Sequence, residues 1–163
     1  MPVNSPKSIA DGTAGPGTRL VWWLLFLGVA VLGAIAAGYY ASAGLTLSHY
    51  DARGHLVVAR RIFDSLTPGW RQIGAVWLPL PHLLDIPGVW WDWGFRTGYP
   101  ATAISVLALA TGLAAFSSRL YSTTRSVAAA VTAPLLVITN PNVLYLASTP
   151  MTALETRKGS MPM

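Results

Sequence analysis

From Leu20 to Ser42 the chain carries no charged residue over 23 positions. A helix of that length covers about 34 Å at 1.5 Å per residue, enough to cross the ~30 Å hydrocarbon layer of a bilayer. The composition agrees with a chain surrounded by lipid. It is 53% hydrophobic and 10% charged, where a soluble domain carries about 25% charged residues. The fold class read from the sequence is therefore an all-α membrane protein. A cleaved signal peptide is the rival reading, because Ala41-Ser42-Ala43 has the small-x-small form of a cleavage site. Signal-peptide apolar regions run about 7–15 residues. This one is longer and has Trp22-Trp23 at one end and Tyr39-Tyr40 at the other, as interfacial aromatic belts do, which favours an uncleaved first span.

The flanks set the expected orientation. Residues 1–18 are rich in Pro, Gly and Ser and have no apolar period, so they read as a disordered tail. Lys7 and Arg19 outweigh Asp11, which places this tail in the cytoplasm under the positive-inside rule. Residues 100–117 form a second uncharged run, followed by Arg119 and Arg125 in a stretch without acids. That stretch reads as a cytoplasmic loop. The outer loop is then 43–99. It holds five arginines, but at nearly 60 residues it is close to the length beyond which loop charge stops guiding topology. A third span is expected over 122–139, its start borrowed from Tyr121–Arg125 by letting Arg125 snorkel. Asn140-Pro141-Asn142 reads as a turn. The apolar segment from Val143 is too short to cross before Glu155, and 153–163 is an atypical polar tail.

The outer loop is the polar island. Four of the six acidic residues (Asp51, Asp64, Asp85, Asp92) and all three histidines (His49, His55, His82) fall in it. Ser48 followed by Asp51 fits a capping box. Ala52, Leu56, Ala59, Ile62, Phe63 and Leu66 recur at helical spacing, so 49–66 is expected to be an amphipathic helix lying on the membrane surface with its arginines toward phosphates. Thr67-Pro68-Gly69 ends it. The run 73–84 contains Pro79 and Pro81, which argue against a continuous helix and for a broken segment dipping into the interface. Trp90, Trp91 and Trp93 read as interfacial anchors. The net charge of +5 is spread without a dense basic cluster, so no nucleic-acid partner is expected. With no cysteine there is no disulfide or thiolate site.

Several stretches together resemble a known family. Tyr50-Asp51-Ala52-Arg53-Gly54-His55-Leu56, Ala59-Arg60-Arg61, Asp64-Ser65-Leu66-Thr67-Pro68-Gly69 and Val76-Trp77-Leu78-Pro79-Leu80-Pro81-His82 are similar to the first outer loop of GT-C class membrane glycosyltransferases. The likeness is to the bacterial protein-mannosyltransferase-like and dolichyl-phosphate-mannose-type enzymes. Asn140-Pro141-Asn142, Leu144-Tyr145 and Ser148-Thr149-Pro150-Met151-Thr152 resemble the stretch those enzymes carry between their third and fourth spans. The resemblance covers about 20–152. In the family's pattern an acid follows the Thr-Pro-Met-Thr run; here Ala153 stands there and Glu155 comes two places later. The family continues through many more spans, so by this resemblance the chain is expected to be an N-terminal fragment of a multi-pass protein of the bacterial inner membrane, inactive alone.

What the resemblance implies is transfer of a sugar from a polyprenyl-phosphate donor to an acceptor on the outer face, with Asp51 as the catalytic carboxylate. Arg53, His55, Arg60, Arg61 and His82 are the implied substrate-binding residues, the arginines facing the leaving phosphate. Each has a plainer role as well: Asp51 as part of a helix cap, the arginines as a solvated or headgroup-facing side, His82 as a packed residue. No cofactor is specified. A divalent cation could sit between Asp51 and His55, four apart on one helix face, but two ligands do not define a site. Trp77 or Trp90 could stack on a sugar. The alternative function is a non-enzymatic multi-pass protein that binds membrane lipids or a partner through its outer helix.

Overall fold

The computed structural model describes residues 15–73 and 77–150, and the described residues form helices and turns without a strand. Helix α1 is Pro16–Ser42. It starts four residues before the expected span, because Pro16 at the first helical position lacks only an N–H that would have had no partner. The expected tail thus stops short of 18; residues 1–14 lie outside the described residues. Helix α5 is Tyr99–Thr124, seven residues longer than expected at its far end. Ser118, Ser122 and Thr124 hydroxyls donate to the carbonyls of Ala115, Arg119 and Leu120. A polar stretch that reads as a loop is satisfied inside the helix in this way. Both helices are long and apolar enough to cross a membrane.

α1 and α5 pack along small residues. Val29, Gly33 and Ala36 are buried on α1, and Ser105, Ala110, Ala114 and Ser117 on α5. Lipid tails are as apolar as leucine, so such helices associate by close van der Waals approach. Gly33 marks the tightest point: a Cβ there would lie 2.8 Å from Val106 Cγ1.

The third span departs from expectation. Tyr121–Thr124 belong to α5, and Arg125 turns the chain with a left-handed φ of 55°. Helix α6, Val127–Ile138, then has 12 residues and covers about 18 Å, too little to cross alone. Helix α7, Pro141–Ala147, follows at an angle of 78°. α6 lies beside Leu25–Leu32 of α1, and Tyr145 of α7 packs edge-on to Tyr40 at 5.0 Å. Asn140-Pro141 is a helix start rather than a free turn: Asn140 Oδ1 accepts from the N–H groups of Asn142 and Val143. The expected 153–163 tail and Met151, Thr152, Ala153 and Glu155 lie outside the described residues.

Between the spans the chain builds a compact cap. Helix α2 is Tyr50–Arg61, five residues shorter than expected at its end. After Arg61 the chain leaves the helix, with Gly69 N–H bonding Ile62 O, and Leu66 is fully exposed. The start also differs. His49, not Ser48, caps the helix, its Nδ1 accepting from Asp51 N–H at 3.2 Å, while Ser48 Oγ bonds Leu45 O and Tyr145 OH. Helix α3 is Pro79–Val89, where a broken segment was expected. Pro79 opens it and Pro81 is still in the first turn, where proline removes no helical bond; residues 74–76 lie outside the described residues. Helix α4, Asp92–Thr97, ends at Gly98, whose φ of 70° lets it close α4 and start α5. The apolar face of α2 does not lie on lipid. Leu56 and Ala59 are buried with Val89 and Ala101, and Leu47, Phe63 and Phe95 pack around them.

Candidate functional site

The cap places the predicted site residues in three separate settings. Asp51 sits in the first turn of α2, its side chain 39% exposed. A carboxylate there is favoured by the helix dipole. His49 lies beside it, with Nδ1 4.0 Å from Oδ2. The same Nδ1 accepts the Asp51 backbone N–H at 3.2 Å. Among the described residues no arginine or lysine forms an ion pair with this carboxylate.

His55 and His82 come together behind α2. Nδ1 of His55 and Nε2 of His82 are 3.0 Å apart, and both side chains are buried. One proton lies between these two nitrogens, so at least one ring is neutral. Burial lowers the His55 pKa, with the charge of Asp51 acting weakly in the other direction. Trp77 covers the pair at 5.0 Å from His55 and 5.9 Å from His82. It lies over Gly54, where a Cβ would come within 2.9 Å of its Cη2. One turn along α3, Asp85 is 3% exposed, and burial pushes its pKa up to about 7. Sequence reasoning did not single out Asp85 as a site residue; the available signal was an acid flanked by Leu83, Leu84 and Ile86.

The arginines do not converge on Asp51. Arg53 Nε donates to Leu47 O at 2.7 Å, folding back on the preceding loop. Arg60 is nine residues beyond Asp51, about 13 Å along the axis and about 180° around it. Its guanidinium donates to Asp64 at 2.8 Å and to Asp92 and lies 4.8 Å from the centre of the Phe95 ring. The two carboxylates raise its pKa. Arg60 and Arg61 line a pocket of about 350 Å³ with Val57, Asp64, Asp92, Phe95 and Arg96. No three His, Asp or Glu side chains group as metal ligands among the described residues, and the Asp51–His55 pair supplies two.

The end of the molecule opposite the cap carries Arg19, Arg119 and Arg125. Gly17 sits against Tyr121 there, and the pocket between the helix ends is lined by Arg19, Trp22, Trp23 and Ser118. Two or three membrane crossings and an all-helical cap define the class that the fold supports, a multi-helix membrane protein. Comparison with protein-family models, curated proteins and solved structures finds no match.

Proposed function

We propose that the chain forms the donor-facing front of a polyprenyl-phosphate-dependent glycosyltransferase of the GT-C class, with Asp51 as the carboxylate that takes the acceptor's proton. The observation that carries this reading is the setting of Asp51. It stands half-exposed where α1 ends and the cap begins, without an arginine or lysine partner among the described residues. A carboxylate at this position is available as a base, and the resemblance of the loop 50–82 to the family's first outer loop supports the assignment. In this reading the acceptor oxygen attacks the anomeric carbon as Asp51 accepts its proton, and the bond to the polyprenyl phosphate breaks. The phosphate leaves as an anion.

The same reading places the N-terminus in the cytoplasm of a bacterial inner membrane. Arg19, Arg119 and Arg125 lie at one end close to the ends of the spans, whereas the five arginines of the cap lie in a connection of nearly 60 residues. The positive-inside rule counts basic residues in short loops near span ends, which favours the end of Arg19 as the inner one.

The test begins with binding. A photoactivatable polyprenyl-phosphate hexose is expected to label the chain in membranes near Tyr50–Asp51, with protection by excess unlabelled donor. In a chain extended by the remaining spans of such an enzyme, Asp51→Asn is expected to lower transfer by about 10²–10⁴-fold, the usual contribution of a general base, with insertion unchanged. Absence of protectable labelling removes the donor; unaltered transfer removes Asp51 as the base.

A further inference from the structure

The pocket of Arg60, Arg61 and Arg96 lies across α2 from Asp51 and is not used by the chemistry above. We infer that it is a binding site for one singly charged phosphodiester, presented by a lipid headgroup at the membrane interface. The argument is independent of the role of Asp51.

Charge decides the ligand. Three guanidinium groups and two carboxylates, Asp64 and Asp92, line the pocket, which leaves a single positive charge. Both carboxylates are engaged by Arg60, so that side chain is held in place against Phe95. Its Nη1 is buried and makes no hydrogen bond. Arg61 and Arg96 have neither an ion pair nor a hydrogen bond among the described residues, and both line the pocket. Two free guanidinium groups beside an anchored one suit oxyanion recognition, since arginine presents paired donors to phosphate oxygens. A diester carries one negative charge and would leave the pocket neutral. A dianionic monoester would leave it negative, facing Asp64 and Asp92.

Position decides the source. α4 carries Phe95 and Arg96 and leads through Gly98 into the membrane helix α5. Trp90, Trp91 and Trp93, beside the pocket in sequence, are 64%, 53% and 57% exposed, as aromatic side chains are at the headgroup level. The pocket therefore opens where phospholipid headgroups lie. At about 350 Å³ it falls at the lower end of the range for small-ligand sites.

Native mass spectrometry of the protein released from micelles tests this, with phosphatidylglycerol and phosphatidylcholine as probes. One phosphatidylglycerol is expected to stay bound per chain in preference to phosphatidylcholine. Arg61→Gln and Arg96→Gln are each expected to weaken its retention about tenfold, the loss of one charge-assisted hydrogen bond. Both side chains are exposed, so these variants should keep the fold, as tryptophan fluorescence would report. Asp64→Asn raises the pocket by one positive charge and is expected to tighten phosphatidylglycerol and to admit doubly charged phosphatidate. A misfolded variant would not gain binding. Glycerophosphoglycerol, the headgroup without acyl chains, separates the sources: failure to displace the lipid at millimolar concentration supports the lipid headgroup, and full displacement overturns it in favour of a soluble diester. Equal retention of the two lipids by the unmodified protein, or a preference that survives both arginine substitutions, overturns the site itself.

Discussion

Asp85→Asn tests the cap most directly, because it removes a titrating group while keeping its size. Asp85 is 3% exposed, and its pKa is raised by burial from 3.8 to about 7. Below pH ~4 it is protonated in both folded and unfolded chains. Between that value and pH 7 the unfolded chain releases the proton while the folded one keeps it, so stability falls as pH rises, at 1.36 kcal/mol per unit. Across the window between the two pKa values this amounts to about 4 kcal/mol. Above pH 7 the loss is complete and the curve levels. His55 acts in the opposite direction. Its folded pKa is lowered from 6.5, so stability is lost as pH falls below that value. Subtracting the Asp85→Asn curve from that of the unmodified protein cancels the His55 contribution. The assay is denaturant unfolding in micelles from pH 3.5 to 8.5, followed by the fluorescence of the seven tryptophans. The difference curve should descend by about 4 kcal/mol and level near pH 7. A flat difference, or one that climbs with pH, refutes the burial of the Asp85 carboxyl in the cap.

Other substitutions probe separate contacts. Gly33→Val drives side-chain atoms into Val106 and should destabilise the α1–α5 pair by about 1–3 kcal/mol; adding Val106→Ala should recover part of that loss in the same unfolding assay. His82→Leu strands the Nδ1 of buried His55 and should cost about 1–3 kcal/mol, whereas combining it with His55→Leu should cost less than the sum of the two single changes. Gly98→Ala places a Cβ at a φ of 70°, 2.7 Å from Leu47 and 2.9 Å from Pro150. It should lower thermal stability by more than 1 kcal/mol and expose the hinge between α4 and α5 to proteolysis.

The two long helices were legible because a run without charge has few alternatives once it is long enough to cross a bilayer. Their ends were not. Serine and threonine after Ser117 bond back to helix carbonyls, a satisfaction that composition does not display. Pro79 and Pro81 read as breakers because proline's effect depends on its distance from the helix start, and only the fold locates that start. Of the site, Asp51 at the head of α2 and the Arg60–Asp64 pair four residues apart were within reach of local spacing. The His55–His82 contact and the reach of Arg60 to Asp92 bridge 27 and 32 residues, and depend on how α3 and α4 fold back over α2. The opposition of Asp51 and Arg60 across α2 follows from helical geometry alone once the helix is granted.

The elbow between α6 and α7 bears on how the chain crosses the bilayer. Twelve apolar residues are too few to cross by their own length, and at the elbow Thr139 and Asn140 cover the last carbonyls of α6, Thr139 bonding Leu135 and Leu136 and the Asn140 N–H bonding Val137. α6 lies beside Leu25–Leu32 of α1 and also contacts α5. The two long helices thus present a surface against which the shorter, bent pair is held.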